Sequence, residues 1–213
     1  MRELTIDSEN PDTTALGEAA ETLRAGGLVV VPTDTVYGLA GRLFDPNVIE
    51  RIFAVKERPP TKGLIAMIAD PGDLDTLCGQ PTAAARDLVS RFWPGPLTIV
   101  AEARPNIPTR AVVNGKIGVR LPDYGPLRSL IRAVGEPLAV TSANLSERPS
   151  PVDIAQSRAE LAGRVDLILN AGPCALGVES TVVDADVDPL VILREGALSA
   201  ELLLDGGTAD DNG

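Results

Sequence analysis

Short apolar runs of three to six residues recur along this chain, and segments with helical spacing separate them. Runs of this length that are rich in Val, Ile and Leu are typical of strands buried on both faces of a sheet. The predicted strands lie at residues 28–31, 64–69, 97–101, 117–121, 138–140, 165–169, 180–184 and 190–193. No apolar run approaches the ~20 residues that span a bilayer, so we expect no membrane association.

The segments between these runs contain helix start and stop signals. Asp45 followed by Pro46 is typical of an N-cap and a first helical position, whereas Pro59 and Pro60 cannot continue a helix. Asp12 or Thr13 can cap the first helix in the same way. The predicted helices lie at residues 13–25, 46–58, 82–92, 126–134 and 153–162.

Helices and strands alternate early in the sequence, and strands crowd together late. This order predicts a single-domain α/β protein with a twisted mixed sheet flanked by helices, rather than a purely parallel doubly wound fold. We expect one catalytic domain over residues 1–204 and a flexible C-terminal tail over residues 205–213, which is rich in Gly and Asp.

The composition excludes several kinds of chemistry. The chain has no histidine, which excludes His general bases and Ser-His-Asp triads. Its net charge of −11 argues against general nucleic-acid binding. The two cysteines, Cys78 and Cys174, are too few for a disulfide framework and favour a cytoplasmic location. No metal-ligand motif is present, so we predict no protein-held metal site.

Two polar segments could bind a ligand. Residues 32–39 (PTDTVYGL) follow a predicted buried strand, and α/β sheets bind ligands at strand ends. Residues 56–64 place Lys56, Arg58 and Lys62 within seven positions on a loop stiffened by two prolines, which suits phosphate binding. A Thr-rich turn and a solvated helix end explain the same residues without any ligand.

Three further segments are individually weaker. Residues 141–146 contain small hydroxyl residues and Asn144, which can bond phosphate or ribose but also suit an ordinary turn. Ser180 begins one predicted strand and Arg194 directly follows another, and each could face a ligand or solvent. Neither a Gly-x-x-x-x-Gly-Lys-Ser/Thr loop nor a Gly-x-Gly-x-x-Gly turn occurs, so any bound phosphate must rely on scattered cations and hydroxyls.

Taken in order, these segments resemble the threonylcarbamoyl-AMP synthase family, the YrdC-like domain. The resemblance covers about residues 12–204 and implies the YrdC-like (RibB-like) α/β fold. It rests on PTDTVYGL at residues 32–39, KERP at 56–59, WPGPLT at 93–98, VRLP at 119–122, TSAN at 141–144, STVVD at 180–184 and LREG at 193–196.

The resemblance implies a reaction between L-threonine, bicarbonate or CO2, and ATP, with Mg2+ accompanying the ATP. The threonine amino group is carboxylated, and the carbamate oxygen attacks the α-phosphorus of ATP. The products are L-threonylcarbamoyl-adenylate and pyrophosphate. Downstream transfer proteins then pass the threonylcarbamoyl group to adenosine 37 of tRNA. Because the attacking carbamate is already anionic, no strong protein base is required.

The resemblance also implies roles for individual residues. Lys56 and Arg58 are expected to be catalytic and to bind ATP, and an arginine such as Arg120 can pair bidentately with a carboxylate. The expected ATP contacts are Lys56, Arg58, Lys62, Ser142, Asn144 and Arg194. The expected threonine and carbamate contacts are Thr35, Arg120 and Ser180.

Two departures from the family pattern affect these expectations. Many members have a histidine in the strand that follows the basic loop, the segment of residues 56–64, and Met67 holds that place here. Longer members add a C-terminal domain and a covering linker, so a lid on this short form would come from its own loops or termini.

Two other readings stay open. One is a non-synthase paralogue that binds nucleotide, double-stranded RNA or tRNA through a local basic cleft. The other is a carbamoyl-transfer module of the kind found in hydrogenase-maturation proteins, although the zinc-finger and acylphosphatase-like regions of those longer proteins are not evident here.

Overall fold

The computed structural model describes residues 2–204, which form one ten-stranded sheet flanked by seven helices. The strands are β1 Arg2–Thr5, β2 Val29–Val31, β3 Gly38–Arg42, β4 Ile65–Met67, β5 Leu97–Glu102, β6 Lys116–Arg120, β7 Leu138–Ser142, β8 Leu167–Asn170, β9 Thr181–Asp184 and β10 Val191–Arg194. The helices are α1 Thr13–Arg24, α2 Pro46–Lys56, α3 Leu74–Leu77, α4 Ala83–Phe92, α5 Gly125–Val134, α6 Ile154–Leu161 and α7 Ala200–Leu204.

The strand order across the sheet is β1-β8-β2-β3-β7-β4-β6-β5-β9-β10. Four neighbouring pairs are parallel (β1 with β8, β8 with β2, β4 with β6, and β5 with β9), and the remaining pairs are antiparallel. The predicted mixed sheet is therefore confirmed. The last three strands, β8, β9 and β10, follow one another without an intervening helix. β8 lies next to one edge of the sheet, and β9 and β10 lie at the other edge.

The hydrophobic core lies on both faces of the sheet because successive strand residues point to opposite sides. Val29 and Val31 face a cluster that α1 and α5 cover. Leu28 and Val30 face a larger cluster built mainly with α2, α4 and α6. Helices on both faces explain why the central strands read as continuous apolar runs.

Helix caps set the ends of the elements that build the site. The Asp45 carboxylate accepts hydrogen bonds from the Asn47 and Val48 amides at the start of α2, with Pro46 in the first turn. Glu57 ends the helix in the left-handed conformation, at φ 52°. As a result, Lys56 lies in the last turn of α2, and the basic loop begins immediately after it.

Two strands, β1 and β3, are not predicted from the sequence. β1 is an edge strand with mostly exposed residues, so it lacks the apolar signal of a buried strand. β3 (GLAGR) contains two glycines, which weaken the strand pattern. One of them, Gly41, is required by packing: a Cβ there would lie 2.4 Å from Val48 Cγ1 of α2.

The short helices α3 and α7 were also absent from the predictions. The catalytic domain over residues 1–204 stays a prediction, and the predicted tail, 205–213, lies outside the described residues. Within residues 2–204, no helix is both long and apolar enough to cross a membrane.

Candidate active site

A cavity of about 330 Å³ opens above the ends of four central strands. Gly38 of β3, Met67 of β4, Arg120 of β6 and Val140 of β7 line it. The nine predicted site residues all line it as well: Thr35, Lys56, Arg58, Lys62, Arg120, Ser142, Asn144, Ser180 and Arg194. The structure therefore brings the separate sequence segments together in one place.

Sheet register explains this convergence. β3 is antiparallel to β7 with Gly38 opposite Ser142, so the turn before β3 adjoins the loop after β7. β4 is parallel to β6 with Met67 opposite Arg120, so Met67 and Arg120 lie side by side at the same edge of the cavity. Met67 thus lies in the cavity wall, at the position where many members of the family that the motifs resemble have a histidine.

Thr33 organises the turn that follows β2. Its hydroxyl accepts hydrogen bonds from the amides of Thr35 (3.0 Å) and Val36 (3.2 Å) and donates to the Val36 carbonyl (2.8 Å). The hydroxyls of Thr33 and Thr35 are 2.9 Å apart. This local network fixes the Thr35 side chain toward the cavity and explains why threonines flank the aspartate in this segment.

Arg120 is held on three sides. Its Nε donates to the Gly95 carbonyl (3.0 Å), Nη1 to the Thr35 hydroxyl (2.9 Å) and Nη2 to Asp34 Oδ1 (2.5 Å). Its side chain is only 3% exposed, and burial lowers its pKa while Asp34 opposes that change. Two of the five guanidinium N–H donors are left over, enough for a planar carboxylate.

Lys56, at the end of α2, hydrogen-bonds to the end of β7 and the loop that follows it. Its ammonium donates to the carbonyls of Ser142 and Asn144 (2.6 Å for Asn144) and to Asn144 Oδ1 (3.3 Å). Burial lowers the pKa of Lys56 to about 7. Since a lysine ammonium has three donors, these contacts engage all of them. Lys56 therefore shapes the Ser142–Asn144 loop.

Arg58 shapes the basic loop in a similar way. Its Nε donates to the Lys62 carbonyl (3.3 Å) and Nη2 to the Gly63 carbonyl (2.5 Å). Burial lowers its pKa to about 10, so the guanidinium stays charged at neutral pH. The remaining donors are available to an anion in the cavity.

Ser180 and Arg194 lie next to each other in the cavity wall. The Ser180 hydroxyl is 2.8 Å from Thr98 Oγ1, and Arg194 Nη2 donates to the Ser180 carbonyl at 2.9 Å. Arg194 Nη1 donates to Glu179, which also accepts a hydrogen bond from Ser150. These contacts hold the Arg194 guanidinium beside Ser180 and Glu179.

Several residues that support the site were not singled out by the sequence analysis. Asp34 lies inside the threonine-rich segment and was read as part of a turn. Thr98 and Gly95 belong to the quoted WPGPLT segment, but contacts across the sheet cannot be read from one segment. Glu179 and Ser150 come together only in the folded chain, so no local pattern signalled their pairing.

Gly196, the last residue of the LREG segment at 193–196, is packed tightly against neighbouring backbone. A Cβ at this position would lie 2.3 Å from the Glu179 carbonyl oxygen and 2.6 Å from the Ser180 carbonyl. We expect Gly196→Ala to push this backbone away and destabilise the protein by about 1–3 kcal/mol. Urea denaturation measures the change.

Gly17→Ala is the matched control, since a Cβ there meets nothing within 4 Å inside α1. It should leave the unfolding free energy unchanged or raise it by about 0.5–1 kcal/mol. Equal stabilities for Gly196→Ala and Gly17→Ala would contradict the close approach of residue 196 to the Glu179–Ser180 backbone.

The cavity is strongly cationic although the whole chain has a net charge of −11. Two carboxylates, Glu147 and Glu179, accompany six basic side chains along its walls: Lys56, Arg58, Lys62, Arg120, Arg148 and Arg194. Such a concentration of cations and hydroxyls is suited to a ligand with several negative charges. In the part of the chain that the structure describes, no group of three His, Cys, Asp or Glu residues could hold a metal ion.

Comparisons with known proteins give a consistent result. The family model Sua5_yciO_yrdC, described as "Telomere recombination", matches residues 21–196. A Bacillus subtilis protein named threonylcarbamoyl-AMP synthase is 36% identical over 92% of this chain and 60% of its own length. A Mycobacterium tuberculosis protein named putative threonylcarbamoyl-AMP synthase is 34% identical over 92% of both chains.

A solved structure extends the comparison to three dimensions. The Pyrococcus abyssi Sua5 structure complexed with L-threonine superimposes with a TM-score of 0.90 at 34% identity. The match covers 96% of this chain and 61% of that one. The chain therefore spans about six tenths of the length of the B. subtilis and P. abyssi proteins.

Proposed function

Because the chain belongs to the Sua5–YciO–YrdC family, we propose that it is a threonylcarbamoyl-AMP synthase. The observation that carries the proposal is the shape of the cavity wall. One part presents Arg120, Thr35 and Ser180, and an adjoining part presents Arg58 and Arg194. An amino acid and a triphosphate could therefore be bound side by side.

The Arg120 part is proposed to bind threonine. The two free N–H donors of the Arg120 guanidinium would receive the substrate carboxylate, and the hydroxyls of Thr35 and Ser180 would bond the carbamate or the substrate hydroxyl. Asp34 holds Arg120 from behind, so the guanidinium does not have to reorganise when the carboxylate arrives.

The Arg58 part is proposed to bind the phosphates of ATP. In the first step, the threonine ammonium and bicarbonate give the carbamate, water and one proton. In the second step, a carbamate oxygen bonds to the α-phosphorus, and the bond to the bridging oxygen breaks. Pyrophosphate leaves with that electron pair, and Arg58 and Arg194 stabilise its growing charge. Asn144 and Ser142 border the same region, and Lys62 lies at its rim.

Mg2+ is proposed only as a companion of ATP. The described residues offer no group of three possible ligands that could hold a metal ion. These residues do not fit a resident metal ion, so any Mg2+ would be held by phosphate oxygens. No step above depends on a metal bound to the protein.

The test is pyrophosphate release from purified protein mixed with ATP, L-threonine, bicarbonate and Mg2+. We expect release that requires both threonine and bicarbonate, because the nucleophile forms only when both are present. Omitting either one provides the matched control. Background release from folded protein that still binds ATP would instead support the non-synthase, nucleotide-binding paralogue.

The proposed synthase activity also suggests the partners of this protein and its location in the cell. Threonylcarbamoyl-adenylate is a reactive mixed anhydride, so we propose that downstream tRNA threonylcarbamoyl-transfer proteins receive it, with at most weak direct contact to tRNA. We also propose a cytoplasmic location, which the free thiols of Cys78 and Cys174 support.

A further inference from the structure

Two of the cations that line the cavity are paired with carboxylates that line it as well. Arg194 donates a hydrogen bond to Glu179, and Lys62 Nζ lies 3.7 Å from Glu147 Oε1. These carboxylates come from different loops and lie beside different cations. A site built only to attract phosphate would leave both cations free, so the two glutamates need an explanation.

Glu179 is fixed from two sides. Ser150 donates a hydrogen bond to Oε1, and Arg194 donates to Oε2. The residue directly precedes Ser180, whose carbonyl also binds Arg194. Only a third of the Glu179 side chain is exposed, so its carboxylate is a built part of the wall rather than a freely solvated group.

Glu147 is held at the rim by its backbone. Its φ of 71° is in the left-handed region, which residues with a Cβ rarely adopt. The side chain is 79% exposed and its Lys62 partner is 45% exposed. Ion pairs this exposed are weak, so the Lys62 ammonium can exchange one anionic partner for another at little cost.

We propose that Glu179 and Glu147 are resident counter-anions that hold Arg194 and Lys62 and compete with pyrophosphate for them. The inference rests on the proposed function, in which pyrophosphate is the leaving group. The phosphates take these donors when the nucleotide binds, and the carboxylates take them back as pyrophosphate departs. The glutamates thereby weaken the binding of pyrophosphate in a cavity lined by several other basic side chains.

The direct test is titration of sodium pyrophosphate into the protein by calorimetry, without other substrates. Glu179→Gln removes the charge but keeps one acceptor oxygen for Arg194, and its amide NH2 can donate to the Ser150 hydroxyl. We expect Glu179→Gln to bind pyrophosphate about three- to tenfold more tightly, the effect of removing one nearby like charge. Glu147→Gln should tighten binding by a smaller factor, about two- to threefold, because solvent screens an exposed charge. Glu147→Gln, on the exposed rim, gives a second result that does not depend on the Ser150 contact.

Glu18→Gln is the matched control, because Glu18 pairs with Arg2 at 2.9 Å on the exposed surface, outside the cavity-lining residues. It should leave pyrophosphate affinity unchanged. Unchanged or weaker binding by both cavity variants would overturn the proposal. Repeating the titration with Mg2+ tests a different role: weaker binding only when the metal is present would make the carboxylates metal ligands and would also overturn it.

These outcomes are distinct from failure of the proposed function, because the titration requires no turnover. If the glutamate variants bind pyrophosphate more tightly than the wild type but the protein releases none from ATP, the counter-anion proposal would stand and the synthase proposal would be wrong. Absence of pyrophosphate binding in the wild type and in both glutamate variants would contradict the counter-anion proposal, whereas pyrophosphate release from ATP by the same protein would still support the synthase.

Discussion

Replacing Arg120 with methionine should destabilise the protein by about 3–5 kcal/mol and reduce threonine-dependent turnover at least a hundredfold, about 2.7 kcal/mol in the barrier. The Asp34–Arg120 pair is almost fully buried, with side chains 8% and 3% exposed. Removing the cation leaves a buried carboxylate whose other oxygen, Oδ2, has no partner among the described residues. It also removes the proposed carboxylate clamp for threonine.

A double-mutant cycle separates the ion pair from simple loss of packing. Asp34→Leu combined with Arg120→Met should cost less than the sum of the two single changes, because no unpaired charge remains. Urea denaturation provides the free energies of unfolding. Additive costs would show that the two side chains do not depend on one another.

The surface supplies a control for this prediction. Arg132 pairs with Asp70 at 2.6 Å, and their side chains are 49% and 57% exposed. Arg132→Met should cost no more than about 1 kcal/mol, since solvent screens an exposed pair. A cost equal to that of Arg120→Met would contradict the importance of burial.

Replacing Arg58 with alanine should lower turnover at least tenfold, or about 1.4 kcal/mol in the barrier. The change removes a charge proposed to stabilise the departing pyrophosphate, and it frees the Lys62 and Gly63 carbonyls that order the loop. Steady-state kinetics with ATP as the varied substrate measures the loss.

Two further variants sharpen the Arg58 result. Arg58→Lys keeps the positive charge but lacks the planar fork, so its turnover should lie between wild type and Arg58→Ala. Arg91, 4.8 Å from the Phe92 ring and outside the cavity-lining residues, gives the control, and Arg91→Ala should keep wild-type kinetics. Unchanged turnover in Arg58→Ala would place the phosphates elsewhere.

Much of the architecture was predictable because local signals and the fold agree. The caps of α1 and α2, the proline stop after α2 and the buried central strands all depend on residues close in sequence. The candidate site was predictable for a different reason. The resemblance of the ordered motif segments to a family singled out Thr35, Arg58 and Arg120, and the mixed sheet brings these residues to one cavity.

The rest could not be read from the sequence because it depends on contacts across the sheet. The partners of Arg120 come from residues 25 to 86 positions away, and its pairing with Asp34 follows from the placement of β6 relative to the turn after β2. The Glu179–Ser150 contact joins two loops 29 residues apart. β1 was missed because an exposed edge strand needs no apolar pattern.

The central claim is that this cavity joins threonine, bicarbonate and ATP in one product. The most direct measurement is mass spectrometry of the reaction with 13C-labelled bicarbonate, quenched within seconds. The account predicts threonylcarbamoyl-adenylate that is one mass unit heavier with the labelled bicarbonate and absent when threonine is omitted. Folded, ATP-binding protein that forms no such adenylate would contradict it.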